Sequence, residues 1–304
     1  MKIIGHLAAD RADARSSGTC RLEQALNNMP VKKDKTMEKI NNISIDQISL
    51  MVPIKATTLG NKQIPDEVQA IKHVFKFNQI LGKPEKQNHA FNGYTDALRY
   101  GTDSAKILIM WSWKQPWMGV STVFYGQGKK LYESLAKMND MKVDWHELIG
   151  KICLKFKGHV SRIDVAVDLI NYGFSVDAIA NKLKQGKYQF INGVTKRAIG
   201  LEKIKTIGDS GEIDTIYVNS RQSDSFLRIY NKRKESLSSK SSGYYLMAKN
   251  TENFIRIEAE FKHREAHRIG NNIAELTDAR KLYSFLANRI TQHWILIEND
   301  TEKK

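Results

Sequence analysis

The segment Ser161–Leu169 has the sequence SRIDVAVDL, in which apolar and charged side chains alternate. In an extended strand, one face would carry the branched apolar members: Ile163, Val165, Val167 and Leu169. The opposite face would carry the remaining side chains: Arg162, Asp164, Ala166 and Asp168. This period of two predicts a β-strand with one face toward a core and one charged face.

Two later segments repeat the arrangement. The segment FLRIYNK, residues 226–232, places three polar side chains on one face: Arg228, Tyr230 and Lys232. The segment FIRIEAEFK, residues 254–262, does the same with four: Arg256, Glu258, Glu260 and Lys262. A solvated face with cross-strand ion pairs would explain any one of these strands. Three of them between residues 161 and 262 favour a functional surface in a shared sheet.

The flanking sequence mixes strand and helix signals. We predict a strand at 43–52, a helix from Pro65 to Gly82, and a hairpin of 107–113 with 119–125. Further helices should begin at three capping residues: Asp144, Ser175 and Thr277. Because strands and helices do not alternate steadily, the pattern predicts an α+β fold. We expect a curved, largely antiparallel sheet with helices packed on one face.

Charge is the main compositional signal. The 304 residues include 48 Lys and Arg against 33 Asp and Glu, which gives a formal net charge of +15. This excess favours a polyanionic partner, and nucleic acid is the usual one. The alternative is a basic surface that has no specific partner.

The composition also excludes several classes of protein. The hydrophobic fraction of 41% is enough to build a core. No apolar run of about 18 residues is present, so a membrane-spanning helix is excluded. Two cysteines, Cys20 and Cys153, cannot form a disulfide framework. We therefore expect a soluble cytoplasmic protein with no membrane partner.

The charged face suggests a specific chemistry. Clustered carboxylates repel one another unless a cation compensates them, so four acids predict a bound Mg²⁺ or Mn²⁺. The candidate ligands are Asp164, Asp168, Glu258 and Glu260. A tyrosine beside them suits attack on a phosphodiester, with Tyr230 as nucleophile. The cations that would stabilise the developing charge are Arg162, Arg228, Lys232 and Arg256. The alternative for Tyr230 is a strand tyrosine that only packs.

Other motifs in the sequence give weaker evidence for a function. None of the histidines forms a His-x-His pair, so metal binding would rest on carboxylates. His263 and His267 have the spacing of a zinc-protease helix, but Glu265 stands at the third position instead of the second. The sequence also lacks a GxxxxGK[ST] loop, so we do not expect ATP hydrolysis.

The central segment resembles a known family. Residues 215–235, TIYVNSRQSDSFLRIYNKRKE, resemble the nicking motif of the Rep_trans family, which contains rolling-circle replication initiators and relaxases of integrative conjugative elements. SRIDVAVD at 161–168 and RIEAE at 256–260 resemble its two acidic motifs, in the same order. Asn219 stands where relatives usually have glycine.

The resemblance implies a role for each motif. Tyr230 would be the nucleophile, and the acidic motifs would hold the divalent metal through Asp164, Glu258 and Glu260, with Asp168 as a further candidate. It also implies a homodimer, a double-stranded origin as target, a single-stranded hairpin loop as the cut site, and a host DNA helicase. We expect further DNA contacts from five basic residues: Arg221, Arg233, Lys234, Arg264 and Arg268.

Together these features predict a replication initiator with three regions. Residues 1–42 would form a mobile tail, 43–262 the DNA-nicking domain, and 263–304 a basic helical segment that recognises the origin. The enzyme would be a site- and strand-specific endonuclease that cuts and rejoins DNA by transesterification. Two alternatives stay open: a relaxase of an integrative conjugative or mobilisable element, and a non-catalytic DNA-binding protein.

Overall fold

The computed structural model describes five ranges of the chain: residues 38–55, 64–87, 90–209, 211–239 and 243–299. Residues 1–37 of the predicted N-terminal tail lie outside these ranges. The last residues of that segment enter the first strand, which begins at Ile40 instead of Ile43.

The described ranges contain twelve strands: β1 (Ile40–Val52), β2 (Glu85–Gln87), β3 (Asp96–Gly101), β4 (Lys106–Trp111), β5 (Val120–Phe124), β6 (His159–Ile170), β7 (Tyr188–Ile191), β8 (Ile204–Asp209), β9 (Glu212–Val218), β10 (Ser225–Asn231), β11 (Phe254–Lys262) and β12 (Ile295–Glu298). Ten of them form one open sheet in the order β2-β3-β4-β5-β1-β6-β11-β10-β9-β8, and β12 pairs with β7. The α+β fold with an antiparallel sheet is confirmed, as is the hairpin of β4 with β5.

Nine α-helices lie within the same ranges: α1 (Asp66–Val74), α2 (Phe77–Ile80), α3 (Gly126–Met138), α4 (Trp145–Gly150), α5 (Val176–Lys184), α6 (Lys232–Leu237), α7 (Tyr245–Lys249), α8 (His263–Glu275) and α9 (Leu282–His293). A π-helical turn, Lys151–Lys155, follows α4. Short 3₁₀ turns add three further elements: Pro116–Met118, Leu201–Lys203 and Ala279–Lys281. None of the helices in the described ranges has the length and apolar composition of a membrane-spanning segment.

The chain divides into two compact units. Of the described residues, the first unit contains those within 38–44, 165–260 and 280–299, and the second contains those within 45–164 and 261–279. Strands β6 and β11 each contribute residues to both units.

An aromatic cluster forms the core of the second unit. Phe75, Phe77, Phe124, Tyr132 and Trp145 contact one another with ring centroids 5.0–6.5 Å apart. Most of these contacts are tilted or edge-on, which are favourable geometries for aromatic pairs. The cluster joins the segment around α1 and α2 to β5, α3 and α4.

The aromatic cluster also explains why the predicted single helix from Pro65 to Gly82 is wrong. α1 ends at Val74, and Lys76 adopts a left-handed conformation with φ of 50° before α2 begins. Phe75 and Phe77 are both fully buried in the cluster. Two residues that are two positions apart do not share a helix face, so the break allows both rings to enter the core.

Burial also determines the start of the last helix. α9 begins at Leu282 and follows the turn Ala279–Lys281, so the predicted cap at Thr277 is wrong. Leu282, Leu286 and Ile290, which are spaced four residues apart on α9, are all buried. A capping residue is a weak signal when the apolar stripe begins several positions later.

The first unit packs α5 against the sheet. Ser175 caps this helix as predicted, since its Oγ accepts a hydrogen bond of 3.0 Å from the backbone N–H of Ala178. Asp177 in the first turn accepts a 3.0 Å hydrogen bond from the backbone N–H of Ile213 in β9. Ile216 and Val218 of β9 are fully buried.

Two histidine rings contact each other in the second unit, with their planes inclined at 44°. The ring of His159 in β6 lies 3.7 Å from that of His267 in α8, centroid to centroid. Burial and the nearby His267 lower the pKa of His159 to about 4. Burial and His263 also lower the pKa of His267. Both rings are therefore neutral at neutral pH.

This pair should make stability depend on pH. In the unfolded chain His159 binds a proton near pH 6.5, whereas the folded protein resists protonation until about pH 4. Since the unfolded state binds more protons in this window, the free energy of unfolding should fall as pH falls from about 6.5 to 4. Urea unfolding at several pH values would measure this fall, and His159→Gln should make it shallower. An equal slope in the variant would contradict the prediction.

Candidate active site

The candidate site is built on neighbouring strands of the sheet. In the sheet order β11 stands between β6 and β10, and β9 follows β10. The three segments that alternate in the sequence therefore lie side by side as strands. The charged face of β6 is not the solvated face of the alternative interpretation, because Asp164 and Asp168 are only 2% and 3% exposed.

Two buried charges form a two-point ion pair in the first unit. Arg256 of β11 donates from Nε to Asp168 Oδ1 at 2.6 Å and from Nη2 to Asp168 Oδ2 at 2.8 Å. Arg256 is only 2% exposed. Buried charges are tolerated when they are paired and hydrogen-bonded, as both groups are here.

A similar pair lies in the second unit, within β6 itself. Arg162 donates from Nε to Asp164 Oδ1 at 2.8 Å and from Nη2 to Asp164 Oδ2 at 2.7 Å. The two residues are two positions apart and share a face of the strand. Asp164 is buried, while the Arg162 side chain keeps 32% of its surface exposed.

The predicted nucleophile lies beside a carboxylate and a guanidinium in the first unit. The Tyr230 hydroxyl is 3.5 Å from Glu258 Oε2, which is long for a hydrogen bond. Arg228 Nη2 donates to the same Oε2 at 2.6 Å. The Arg228 guanidinium carbon also lies 4.3 Å from the centre of the Tyr230 ring. The structure thus brings Tyr230, Arg228 and Glu258 together.

Lys232 is near this group, but its predicted position on the strand is wrong. β10 ends at Asn231, and Lys232 is the first residue of α6. The Asn231 side chain accepts a 2.9 Å hydrogen bond from the backbone N–H of Lys234, which begins the helix. Lys232 is buried, with Nζ 2.6 Å from Glu235 Oε2 and 5.7 Å from the Tyr230 ring centre.

Sequence patterns did not identify Tyr244, which precedes α7. The Lys232 Nζ lies 5.0 Å from its ring centre, and the Arg256 guanidinium carbon lies 4.8 Å from it. Aromatic faces attract cations at such distances, so Tyr244 helps to position both. The sequence around Tyr244 does not alternate between apolar and polar residues as a strand does. The one signal for a role of Tyr244 is an aromatic residue between two segments that resemble the family's motifs.

The surroundings of Tyr230 keep its hydroxyl protonated. Burial is the main cause that raises the pKa of Tyr230 well above its usual value of 10, and the nearby Glu258 adds to it. Arg256 and Arg228 act in the opposite direction and lower the pKa. Burial outweighs this effect of the arginines. A reaction at Tyr230 therefore requires a group that takes its proton.

The predicted carboxylates, as they are arranged, do not fit a divalent ion. Both oxygens of Asp164 and both oxygens of Asp168 accept hydrogen bonds from arginine. Glu258 is bound by Arg228, and Glu260 is half-buried on β11. The parts of the chain that the structure describes contain no group of three or more His, Cys, Asp and Glu side chains arranged to hold a metal ion. The Mg²⁺ or Mn²⁺ ion stays a prediction.

The predicted DNA-binding residues have different surroundings. The Arg221 guanidinium carbon lies 5.4 Å from the ring centres of both Tyr217 and Phe226. Arg233 Nε donates to the Thr251 carbonyl at 2.8 Å. Three others are exposed on helices: Lys234, Arg264 and Arg268. Lys234 pairs with Asp214 at 2.5 Å, and Arg268 pairs with Glu265 at 2.7 Å.

The C-terminal part of the chain matches a known protein family. Residues 158–304 match the model of the Rep_trans family, described as "Replication initiation factor". This segment belongs to the Rep_trans family. The resemblance predicted from the sequence is confirmed, and the matched residues include Asp164, Asp168, Tyr230 and Glu258. A search of the curated proteins finds no significant match.

The fold has a counterpart among solved structures. The chain is similar to the rolling circle replication initiator protein from Geobacillus stearothermophilus, with a TM-score of 0.61 and 17% sequence identity. The likeness covers 87% of this chain and 90% of that chain. At this identity the comparison shows a common fold.

Asn219, where Rep_trans relatives usually have glycine, keeps the backbone conformation that glycine would allow. Its φ is 71°, in the left-handed region that asparagine tolerates better than most residues. Its backbone N–H donates to the Lys203 carbonyl at 2.9 Å. Asn219 therefore adopts the left-handed backbone of the turn between β9 and β10 without a glycine.

The buried pair of Asp168 with Arg256 leads to a stability prediction. Asp168→Ala would leave the Arg256 charge buried without its partner, which should lower the free energy of unfolding by about 3–5 kcal/mol. The matched control is Glu147→Ala, which removes the exposed pair with Lys151 and should cost less than about 1 kcal/mol. Urea unfolding at neutral pH measures both. An Asp168→Ala variant as stable as the control would show that the pair is not structural.

Proposed function

We propose that this chain initiates rolling-circle replication by binding a plasmid double-strand origin, cutting one strand through Tyr230 and rejoining it after a round of replication. Three observations support the proposal: the Rep_trans segment at 158–304, the fold shared with a replication initiator, and a net charge of +15. The enzyme would be a site- and strand-specific endonuclease that works by transesterification.

The observation that carries the proposal is the surroundings of the Tyr230 hydroxyl. An acceptor, Glu258 Oε2, lies 3.5 Å away, and Arg228 binds the same oxygen. Arg256 and Arg228 both act electrostatically on Tyr230. A nucleophile, an adjacent acceptor and preorganised cations are the groups that phosphoryl transfer requires.

In the proposed reaction the Tyr230 oxygen attacks the phosphorus atom of the origin strand. The Oη–P bond forms and the P–O3′ bond breaks, which leaves the 5′ phosphate on the tyrosine and a free 3′ hydroxyl as primer. Glu258 takes the phenolic proton, and the departing 3′ oxygen takes one from water. Arg228 and Arg256 stabilise the negative charge that develops on the phosphoryl oxygens. Attack by a 3′ hydroxyl on the phosphotyrosine reverses these steps and rejoins the strand.

Other parts of the proposal concern partners and regions. Residues 43–262 would form the nicking domain, and 263–304, with Arg264 and Arg268, would choose the origin. Arg221, Arg233 and Lys234 would contact DNA near the cut, and Arg162 would add positive charge. A homodimer and a host helicase would complete the initiation complex. No step is assigned to Mg²⁺ or Mn²⁺, because the carboxylates as placed do not fit the ion.

A nicking assay tests the central role of Tyr230. On supercoiled DNA that carries the cognate origin, with Mg²⁺ or Mn²⁺ present, Tyr230→Phe should abolish nicking because the attacking oxygen is gone. Glu258→Gln should slow nicking by about 10²–10⁴-fold, since it removes the proton acceptor. The matched control is Tyr188→Phe, a half-buried tyrosine on β7, which should nick like the wild type.

The outcomes of this assay distinguish the alternative functions of the protein. If Tyr230→Phe nicks as well as the wild type, the nucleophile is wrongly assigned. If the wild type binds origin DNA without nicking it, the chain is a non-catalytic DNA-binding protein. Binding to the origin should be retained in Glu258→Gln, so a loss of both binding and nicking would argue for a structural role of Glu258.

A further inference from the structure

One face of strands β8, β9 and β10 extends from Tyr230, the candidate nucleophile, to the edge of the sheet. Directly paired residues of antiparallel strands point to the same side. Tyr230 pairs with Thr215, and Thr215 pairs with Ile207 of β8. Arg228 pairs with Tyr217, and Tyr217 pairs with Lys205. This surface, which we call the outer face, is defined by these residues together with Phe226 and Arg221.

The outer face is open toward the edge of the sheet. β8 is the last strand in the sheet order, and Lys205 and Ile207 are both exposed, with Ile207 57% exposed. Tyr217 is half-buried, whereas Ile216 and Val218 on the opposite face of β9 are buried. With neighbouring strands about 4.8 Å apart, β8 lies about 10 Å from β10.

A layered group of aromatic and cationic side chains stands on the outer face. The rings of Tyr217 and Phe226 stack with centroids 5.5 Å apart and an angle of 27° between their planes. Phe226 is buried and supports Tyr217 from one side. The exposed Arg221 lies 5.4 Å from both ring centres. A planar ring and a guanidinium at the surface are the groups on which nucleobases stack.

The charges of the outer face favour a polyanion. Lys205, Arg221 and Arg228 supply positive charge along the path from the edge to Tyr230. Glu258 is the acid beside this path, and it pairs with Arg228. Three other acids interact with Lys234: Asp214 pairs with it, and Asp209 and Glu212 interact with it electrostatically. Asp214 lies away from the outer face, because it alternates with Thr215 along β9.

We propose that the outer face binds single-stranded DNA next to the cut site, with one base stacked against Tyr217 and Arg221 and the backbone directed toward Tyr230 by Lys205 and Arg228. The inference rests on the proposed function, since it assigns the single strand that Tyr230 would cut. Stacking of this kind tolerates any base, so the outer face would hold the strand in place and leave the choice of origin to other residues.

Binding of a fluorescein-labelled dT20 strand tests this proposal, with fluorescence anisotropy measured at several salt concentrations. Tyr217→Ala should weaken binding by about 5- to 100-fold, as expected for the loss of one base stack. Tyr217→Phe keeps the ring and should bind within about twofold of the wild type. The matched control is Tyr188→Ala, which removes a half-buried tyrosine whose ring also carries a cation, Lys182, 4.6 Å from its centre.

The salt dependence of DNA binding distinguishes base stacking from contacts to phosphate groups. Tyr217→Ala should leave the slope of log affinity against log salt unchanged, because no phosphate contact is lost. Lys205→Ala should reduce the slope by about 0.7, the value for one phosphate contact on a single strand. Arg221→Ala removes the stacked guanidinium from an exposed position, so it also provides a test if Tyr217→Ala fails to fold.

The results separate this inference from the proposed function. If folded Tyr217→Ala and Arg221→Ala both bind dT20 like the wild type while the wild type nicks origin DNA, the outer face is not the DNA-binding surface and the nicking function stands. If both variants lose affinity as expected while Tyr230→Phe nicks normally, the outer face binds DNA and the assignment of Tyr230 fails.

Discussion

The buried pair of Arg256 with Asp168 constrains the candidate site more than any other interaction. Each group is almost fully removed from water, and a buried charge without its partner is strongly unfavourable. The two hydrogen bonds fix the Arg256 side chain, which also lies against the Tyr244 ring. Glu258 follows two residues later on the same face of β11, and it contacts Arg228 and Tyr230.

Burial and the nearby arginines have opposite effects on the pKa of Tyr230. Burial raises the pKa of Tyr230, and the arginines lower it, but burial is the larger effect. The hydroxyl therefore stays protonated in the absence of DNA. In the proposed reaction, the hydroxyl would keep its proton until attack, and Arg228 and Arg256 would offset the charge of the incoming phosphate. Glu258 would then accept the proton at the moment of attack.

The alternating segments predicted the core of the fold, because a period of two is a direct consequence of strand geometry. This period predicted strands at β6, β10 and β11, and it indicated that Tyr230, Arg228 and Glu258 are neighbours. It could not show that the carboxylates of β6 are buried, since alternation defines two faces but not what covers each one. Strand β10 was predicted to end at Lys232, one residue too late, because the capping role of Asn231 was not recognised.

Elements that depend on distant contacts were harder to predict. The break between α1 and α2 follows from the burial of both Phe75 and Phe77, which no local propensity reveals. Tyr244 and Tyr217 acquire their cationic neighbours through strand order and register. The four acids suggested a metal because like charges repel, but arginines compensate three of them in the structure: Asp164, Asp168 and Glu258.

The central claim is that Tyr230 forms a covalent bond with DNA. The most direct measurement is to incubate the protein with a labelled single-stranded oligonucleotide of the origin, isolate the covalent adduct and map the modified residue by mass spectrometry. The account predicts one adduct, a 5′ phosphate esterified to Tyr230. An adduct on another residue, or strand cleavage with no protein-linked product, would contradict it.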